Sequence, residues 1–209
     1  MPLVGEKRIG VVLAGRNLTH STIVLRGDNG AEVAYHEPTE DTTKVAMKII
    51  ELAHVHSVPI SDTHIFVDKG GRGKELCNLL KQYAIGHFEI RKYETRQIYG
   101  IDMNESPQFD AVLYVDNYAR AYARLADWIR KGGKLSGRPA FDDLLDIVWA
   151  EHGNKMKIID RETLAEQGTD SSIPSALAMT FVKEVKIMKE RLIDDDVYYD
   201  GPQYADIGI

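Results

Sequence analysis

Three strand-like segments in quick succession at the start of the chain most constrain its fold. Residues 7–14 (KRIGVVLA), 20–26 (HSTIVLR) and 31–36 (AEVAYH) are rich in aliphatic and β-branched side chains, a pattern typical of β-strands. The turn GDNG at 27–30 separates the second from the third and favours a hairpin. The sequence therefore predicts an antiparallel meander of three strands, with its mostly apolar first strand central in the sheet.

Helical and strand-like segments alternate after the meander. An apolar stripe at helical spacing runs from Val45 to Ala53 and predicts an amphipathic helix. A short apolar strand at 64–68 (HIFVD), a glycine loop, a helix at 74–84 and a fifth strand at 87–93 (HFEIRKY) follow. A meander followed by crossover helices predicts a mixed sheet flanked by helices, an α/β fold.

The second half of the chain is mostly helical in pattern. It predicts a helix at 116–131 that stops at Gly132-Gly133, a short helix at 140–150, a short strand at 156–160 (MKIID) and a long core-facing helix at 172–192. The residues from Asp194 onward are acidic and show no periodicity. We therefore expect one domain over 1–193 and a mobile tail over 194–209.

Composition excludes several classes of protein. Cys77 is the single cysteine, which rules out an internal disulfide and a cysteine-based zinc cluster, and it is predicted to be a buried, inert thiol. No apolar run approaches the ~20 residues of a membrane helix, and the start of the chain carries no secretion signal. We therefore expect a cytoplasmic protein with no membrane partner. The net charge of −6 argues against a basic nucleic-acid coat but leaves a local basic groove open.

The segment VDKGGRGKEL at 67–76 is the first candidate site. A strand that ends in Asp68 and leads through a glycine turn into a helix is a recurrent way to build a site, because backbone N–H groups in the turn can face an anion. A Walker A phosphate loop does not fit, since Gly73-Lys74 is followed by Glu75 rather than by Ser or Thr. A tight turn with a solvated aspartate is the alternative.

Basic residues and histidines supply the other candidates. Lys69, Arg72 and Lys74 surround the glycine loop, and Arg130 and Lys131 end a predicted helix. They are predicted to contact DNA phosphates if the fold brings them to one face; solvated surface charge is the alternative. The histidines of the segment 54–64 do not share a helical face, so a solvated or capping role is favoured for them.

Five segments in order resemble the C-terminal nuclease domain of phage terminase large subunits. They are IGVVLAG at 9–15, VDKGGRGKELCNLL at 67–80, VDNYARAYARLADWIRKGGKL at 115–135, DDLLDIVWAEHGNKMKIIDRETL at 142–164 and SSIPSALAMTF at 171–181. The resemblance covers roughly residues 8 to 183. It implies an RNase H-like fold and a role in viral DNA packaging in the host cytoplasm, where this domain of the family cuts DNA.

The metal-binding acids of that family are largely missing. The resemblance implies acids on the first strand, the fourth strand and the last helix, which hold two Mg²⁺ or Mn²⁺ ions. Val12, Ser172 and Ser175 stand at three of these positions, and only Asp68 is intact. Asp170, two residues before Ser172, is a second candidate metal ligand. One carboxylate cannot hold a metal pair, so a degenerate site is predicted.

Three functional hypotheses follow. The first is a nuclease-like packaging domain without activity that binds double-stranded DNA or a partner such as a terminase ATPase, a portal or a small terminase subunit. The second is an active Mg- or Mn-dependent DNA endonuclease with non-standard ligands such as Asp170. The third is an interaction module with no role on DNA. These residues contain no Walker A motif, so we expect an isolated domain or a separate small gene product rather than a packaging motor.

Overall fold

A five-stranded sheet forms the centre of the structure, a computed structural model that describes residues 2–15, 17–87, 98, 100–108, 110–137 and 140–183. The predicted meander is confirmed, since β1 (Arg8–Val12), β2 (Ser21–Arg26) and β3 (Gly30–Glu37) pair antiparallel in sequence. Two further strands, β4 (Ile65–Val67) and β5 (Lys134–Ser136), run parallel to β1 and β3. The order β4-β1-β2-β3-β5 is therefore a mixed sheet, as predicted.

Helices cover both faces of this sheet. In chain order they are α1 (Thr42–Val55), α2 (Gly73–His87), α3 (Asn117–Arg130), α4 (Arg161–Glu166) and α5 (Ser172–Met179). Apolar side chains of α1 and α2 pack on one face, and those of α3 and α5 pack on the other. No helix in these ranges is long and apolar enough to cross a membrane.

β1 is apolar from Ile9 to Val12, as expected for a strand that is buried on both faces. Ile9 and Val11 belong to the core beneath α1 and α2, whereas Val12 belongs to the core beneath α3 and α5. Gly10 lies against α5, where a Cβ would come 1.9 Å from the backbone oxygen of Ala176. A glycine at this position lets the last helix lie directly on the central strand.

The predicted helix at 140–150 is only partly correct. A 3₁₀ helix spans Asp142–Asp146, but residues 149–152 form a strand, β6 (Trp149–His152), which pairs with β7 (Lys155–Ile158). The pair turns through Gly153 and Asn154, and Gly153 has a φ of 62°. A Gly-Asn pair between strand-like segments favours a two-residue hairpin, and this local signal overrides the helical spacing. β7 confirms the strand predicted within MKIID.

The last core helix is shorter than predicted. α5 ends at Met179, because the carbonyl of Leu177 accepts hydrogen bonds from both the N–H (3.0 Å) and the Oγ1 (2.7 Å) of Thr180. Such i to i+3 bonds tighten and close a final turn. The predicted fifth strand at 87–93 falls outside the described residues except for His87, which ends α2, and so does the predicted tail at 194–209.

The predicted buried thiol is confirmed. Cys77 lies on α2 with 4% of its surface exposed, in the core that α1 and α2 share. Burial raises the pKa of this thiol to about 11, so almost none of it is thiolate at neutral pH. Because the thiolate is the reactive and metal-binding form, Cys77 is a core residue rather than a site residue.

Candidate functional site around Asp68 and Arg161

Asp68 stands at the end of β4, next to the end of β1. Its backbone N–H donates to the carbonyl of Val11 (3.0 Å), which places Asp68 in register with Val12. Its Oδ1 accepts a hydrogen bond from the N–H of Gly70 (3.0 Å). The loop then turns tightly into α2, since a Cβ on Gly73 would come 1.8 Å from the carbonyl oxygen of Asp68. The glycines thus hold the carboxylate at the start of the helix.

A guanidinium occupies the other side of the Asp68 carboxylate. Nη1 of Arg161 donates to Oδ2 of Asp68 at 2.5 Å, although 93 residues separate them. Arg161 is the first residue of α4, which Asp160 caps by accepting the N–H of Thr163 at 2.9 Å. Burial alone would lower the pKa of Arg161, but the charge of Asp68 raises it above its usual value. Arg161 therefore stays charged, and Asp68 has only 7% of its surface exposed.

Tyrosines link this ion pair to α5. The guanidinium carbon of Arg161 lies 4.9 Å from the ring centroid of Tyr118, a cation–π distance. The hydroxyl of Tyr118 is 3.2 Å from Oγ of Ser175 and 3.4 Å from the hydroxyl of Tyr122. Burial, with Tyr118 beside it, raises the pKa of Tyr122 well above its ordinary value. Tyr122 is therefore a neutral hydrogen-bonding partner at physiological pH.

The positions where the resemblance implies further acids are buried and uncharged. Val12, Ser172 and Ser175 all have 0% of their surface exposed. Val12 packs in the core beneath α3 and α5. Oγ of Ser172 is buried without a hydrogen-bond partner among the described residues, as are Nε and Nη2 of Arg161. The three positions thus offer Asp68 no second carboxylate.

A cleft of about 520 Å³ opens beside the ion pair. Among the residues that line it, Arg72, Lys157 and Arg161 are basic, whereas Asp68, Asp116, Asp160 and Glu162 are acidic. Several of these acids have local partners: Asp116 caps α3 through the N–H of Ala119 (2.7 Å), and Lys157 lies 3.9 Å from Asp160. The cleft is therefore electrostatically mixed rather than uniformly basic.

The structure separates the predicted DNA contacts into two regions. Arg72 lines the cleft and pairs with Glu75 (3.0 Å), with Lys69 and Lys74 on either side of it in the chain. Arg130 and Lys131 lie at the C-terminal end of α3, whose N-terminal end borders the cleft. A helix of 14 residues spans about 20 Å at 1.5 Å per residue. The two regions therefore do not share one site.

The residues at Asp68 do not fit a pair of Mg²⁺ or Mn²⁺ ions. Two such ions need bridging oxygen ligands, yet here one carboxylate is already held by Gly70 and Arg161. In the described part of the chain, Asp68 belongs to no group of three acid, histidine or cysteine side chains whose ligand atoms lie within 4.8 Å. Asp170 does not join Asp68 in such a group, and its carboxylate is held by Thr19, His20 and Ser172.

Asp170 instead belongs to a second polar cluster with two histidines. Oδ2 of Asp170 is 2.7 Å from Nδ1 of His20, and the rings of His20 and His36 stack with centroids 4.0 Å apart. Burial, and then the neighbouring His20, lower the pKa of His36, which favours its neutral ring. Sequence reasoning singled out Asp170 but not its two histidine neighbours, because His20, His36 and Asp170 come from distant segments. The histidines at 54, 56 and 64 lie elsewhere.

Two solved structures share the fold of this chain. The nuclease domain of the large terminase subunit gp2 of bacterial virus Sf6 aligns with a TM-score of 0.65 and 13% identity, over 88% of this chain and 90% of that one. A lysine-to-alanine variant of that domain, solved with manganese and beta-thujaplicinol, aligns at 0.62 and 12% over the same shares. No known protein family matches the sequence, and no curated protein does. The fold is that of a terminase nuclease domain, as the resemblance implied.

Proposed function

We propose, from this terminase-nuclease fold, that the chain is a nuclease-like domain of viral DNA packaging that has lost metal-dependent cleavage and binds double-stranded DNA. The observation that carries the proposal is the ion pair between Asp68 and Arg161. The guanidinium of Arg161 neutralises Asp68, which is the one acid left of the metal-binding set that the resemblance implies. We expect this role in the host cytoplasm, with a terminase ATPase, a portal or a small terminase subunit as further partners.

The chemistry of phosphodiester cleavage supports the loss of activity. In a two-metal site the ions lie about 3.5–4 Å apart and stabilise both the attacking and the leaving oxygen. A guanidinium cannot generate a hydroxide from bound water in this way. Moreover, Arg161 would have to leave Asp68 before an ion could bind there, and Val12, Ser172 and Ser175 would offer that ion no carboxylate.

Binding of DNA phosphates requires positively charged side chains, and the cleft has such side chains at its surface. Arg72 and Lys157 line it beside Arg161, and side-chain N–H groups of this kind contact phosphate oxygens. Loss of cleavage does not remove this capacity, because phosphate contacts need no metal. The neighbouring acids of the cleft predict moderate affinity that falls as salt rises.

We expect no cleavage of plasmid DNA by this chain. The test incubates the purified protein with supercoiled plasmid and millimolar Mn²⁺ or Mg²⁺, and follows nicked and linear products on a gel. Asp68→Ala serves as the matched control, because cleavage by a contaminating nuclease would persist in a preparation of this variant. Robust cleavage that disappears in Asp68→Ala would overturn the proposal in favour of an active Mg- or Mn-dependent endonuclease with non-standard ligands such as Asp170.

We also expect salt-dependent DNA binding through the cleft. Arg72→Gln and Lys157→Gln should each weaken binding of a short duplex and reduce the slope of log K against log salt by about 1, as the loss of one phosphate contact does. Fluorescence anisotropy at several salt concentrations measures both quantities. Lys48→Gln is the control, because Lys48 pairs with Glu51 on α1 and does not line the cleft.

The same measurements on the other basic residues would show how far the DNA interface extends, and the salt dependence would test the DNA role itself. A loss of equal size in Arg130→Gln or Lys131→Gln would extend the interface along α3, and one in Lys69→Gln or Lys74→Gln would extend it along the glycine loop. Binding that shows no salt dependence, or no binding at all, would reject the DNA role and favour an interaction module.

A further inference from the structure

Three side chains from distant segments converge at one edge of the fold, away from the Asp68 pair. His20 directly precedes β2, His36 lies near the end of β3, and Asp170 directly precedes the turn that begins α5. One ligand atom from each of them falls in a set whose members all lie within 4.8 Å of one another. In a tetrahedral Zn²⁺ site with bonds of about 2.0–2.2 Å, two ligand atoms lie about 3.3–3.6 Å apart. The set is thus at most about 1.5 Å wider than one ion requires, a gap that side-chain rotation can close.

Neighbouring hydroxyl and backbone groups hold these side chains in place. Oγ1 of Thr22 is 2.9 Å from Nδ1 of His36, and Oγ1 of Thr19 donates to Oδ2 of Asp170 at 2.7 Å. Oδ1 of Asp170 accepts the N–H of Ser172 at 3.0 Å. Contacts of this kind orient ligands around a metal. Thr22 at Nδ1 of His36 leaves the opposite nitrogen, Nε2, open to an ion. In His20, Nδ1 is the nitrogen that faces Asp170, so an ion bound by both would replace the hydrogen bond between them.

Further negative charge surrounds the same place. The 3₁₀ helix Asp142–Asp146 carries three acids, and the hydroxyl of Thr169, next to Asp170, donates to Asp146 at 3.2 Å. Burial raises the pKa of Asp143, and the nearby charges of Asp170 and Asp146 raise it further while His36 lowers it. A cation at the cluster would relieve this mutual repulsion of carboxylates.

We propose that His20, His36 and Asp170 bind one divalent cation of the zinc class. Imidazole nitrogen with one carboxylate suits Zn²⁺, Co²⁺ or Ni²⁺ better than Mg²⁺, which favours an all-oxygen set. The proposed ion is structural: it joins the open end of the β2–β3 hairpin to the start of α5. Its position and its ligand chemistry separate it from the two-metal site of a nuclease, and it does not depend on the proposed function.

Binding requires one local movement. The rings of His20 and His36 are stacked with planes 19° apart, and a ligand nitrogen must aim its lone pair in the plane of its ring at the ion. The rings therefore turn about the bond to Cβ until one nitrogen of each faces the same point beside the Asp170 carboxylate. His36 is exposed and His20 is half-buried, so these rotations need no change in the core.

Metal titration of the tag-free, chelator-treated full chain tests the proposal. We expect calorimetry to show one Zn²⁺ per chain, Co²⁺ to give visible absorption from a nitrogen-containing site, and Zn²⁺ to raise the melting temperature, whereas Mg²⁺ does none of these. His20→Gln and His36→Gln should each weaken Zn²⁺ binding by at least about tenfold. Asp170→Asn should do the same while losing some stability, because Asp170 also receives the N–H of Ser172.

His54→Gln is the matched control, since His54 is an exposed histidine at the end of α1. It should leave Zn²⁺ affinity unchanged, and circular dichroism of each variant without metal checks that the fold is intact. Absence of saturable Zn²⁺ or Co²⁺ binding to the wild-type chain would overturn the proposal. So would equal affinity in the folded His36→Gln variant, which would place the ion elsewhere.

Discussion

Arg161→Met is expected to lower the free energy of unfolding by about 3–5 kcal/mol, the usual loss when one partner of a buried ion pair is removed. Methionine keeps most of the volume of the arginine stem but leaves the charge of Asp68, which has 7% of its surface exposed, without its cation. Urea unfolding at neutral pH, followed by circular dichroism, measures the loss.

Two comparisons isolate the ion pair. In Asp68→Asn/Arg161→Met no charge is left uncompensated, so the double variant should be more stable than Arg161→Met alone. Arg130→Met removes another arginine–aspartate pair, the one with Asp127, whose side chains are 72% and 57% exposed; it should cost at most about 1 kcal/mol. If Arg161→Met costs no more than Arg130→Met, the pair with Asp68 is not a buried one.

Gly10→Ala is expected to destabilise the protein by about 3 kcal/mol or more, at or beyond the upper end of the usual cost of overpacking. The added Cβ would lie 1.9 Å from the backbone oxygen of Ala176 and 2.9 Å from Cγ2 of Thr180. Neither side can yield easily, because β1 is paired on both edges and α5 is buried along its length. Thermal or urea unfolding provides the measurement.

Gly15→Ala is the control for this substitution. Gly15 lies three residues beyond β1, its backbone is not in the left-handed region, and nothing lies within 4 Å of the Cβ that alanine would add. Its effect should therefore stay within about 0.5 kcal/mol. Equal stability of the two variants would show that β1 and α5 do not approach as closely as described.

Local sequence patterns explain why most strands and helices of the fold could be predicted. The meander follows from three apolar, β-branched segments and the GDNG turn, and α3 follows from its apolar spacing and the Gly132-Gly133 stop. The strand, Asp68 and the glycine loop also follow from short-range rules, since Gly71 has a positive φ and Gly73 lies against the backbone of Asp68. The errors, at 140–150 and beyond Met179, arose where a turn residue or a hydroxyl overrode helical spacing.

The content of the site could not be predicted in the same way. Within DRETL, Arg161 has the appearance of an ordinary residue in the first turn of a helix, and nothing local marks Asp68 as its partner. The same holds for His20, His36 and Asp170, which the sheet and the loop before α5 bring together. Long-range pairs of single side chains leave no periodic trace, so only the tertiary structure reveals them.

The packing of α5 on β1 also has a consequence for the order of events during synthesis. The meander can pair as soon as it leaves the ribosome, because its contacts are between neighbours in the chain. The face of β1 and β2 that carries Gly10, Val12 and Val24, however, waits for a helix encoded about 150 residues later. Throughout that interval an apolar sheet surface lacks the helix that covers it, and such transiently exposed surfaces are where nascent chains associate wrongly.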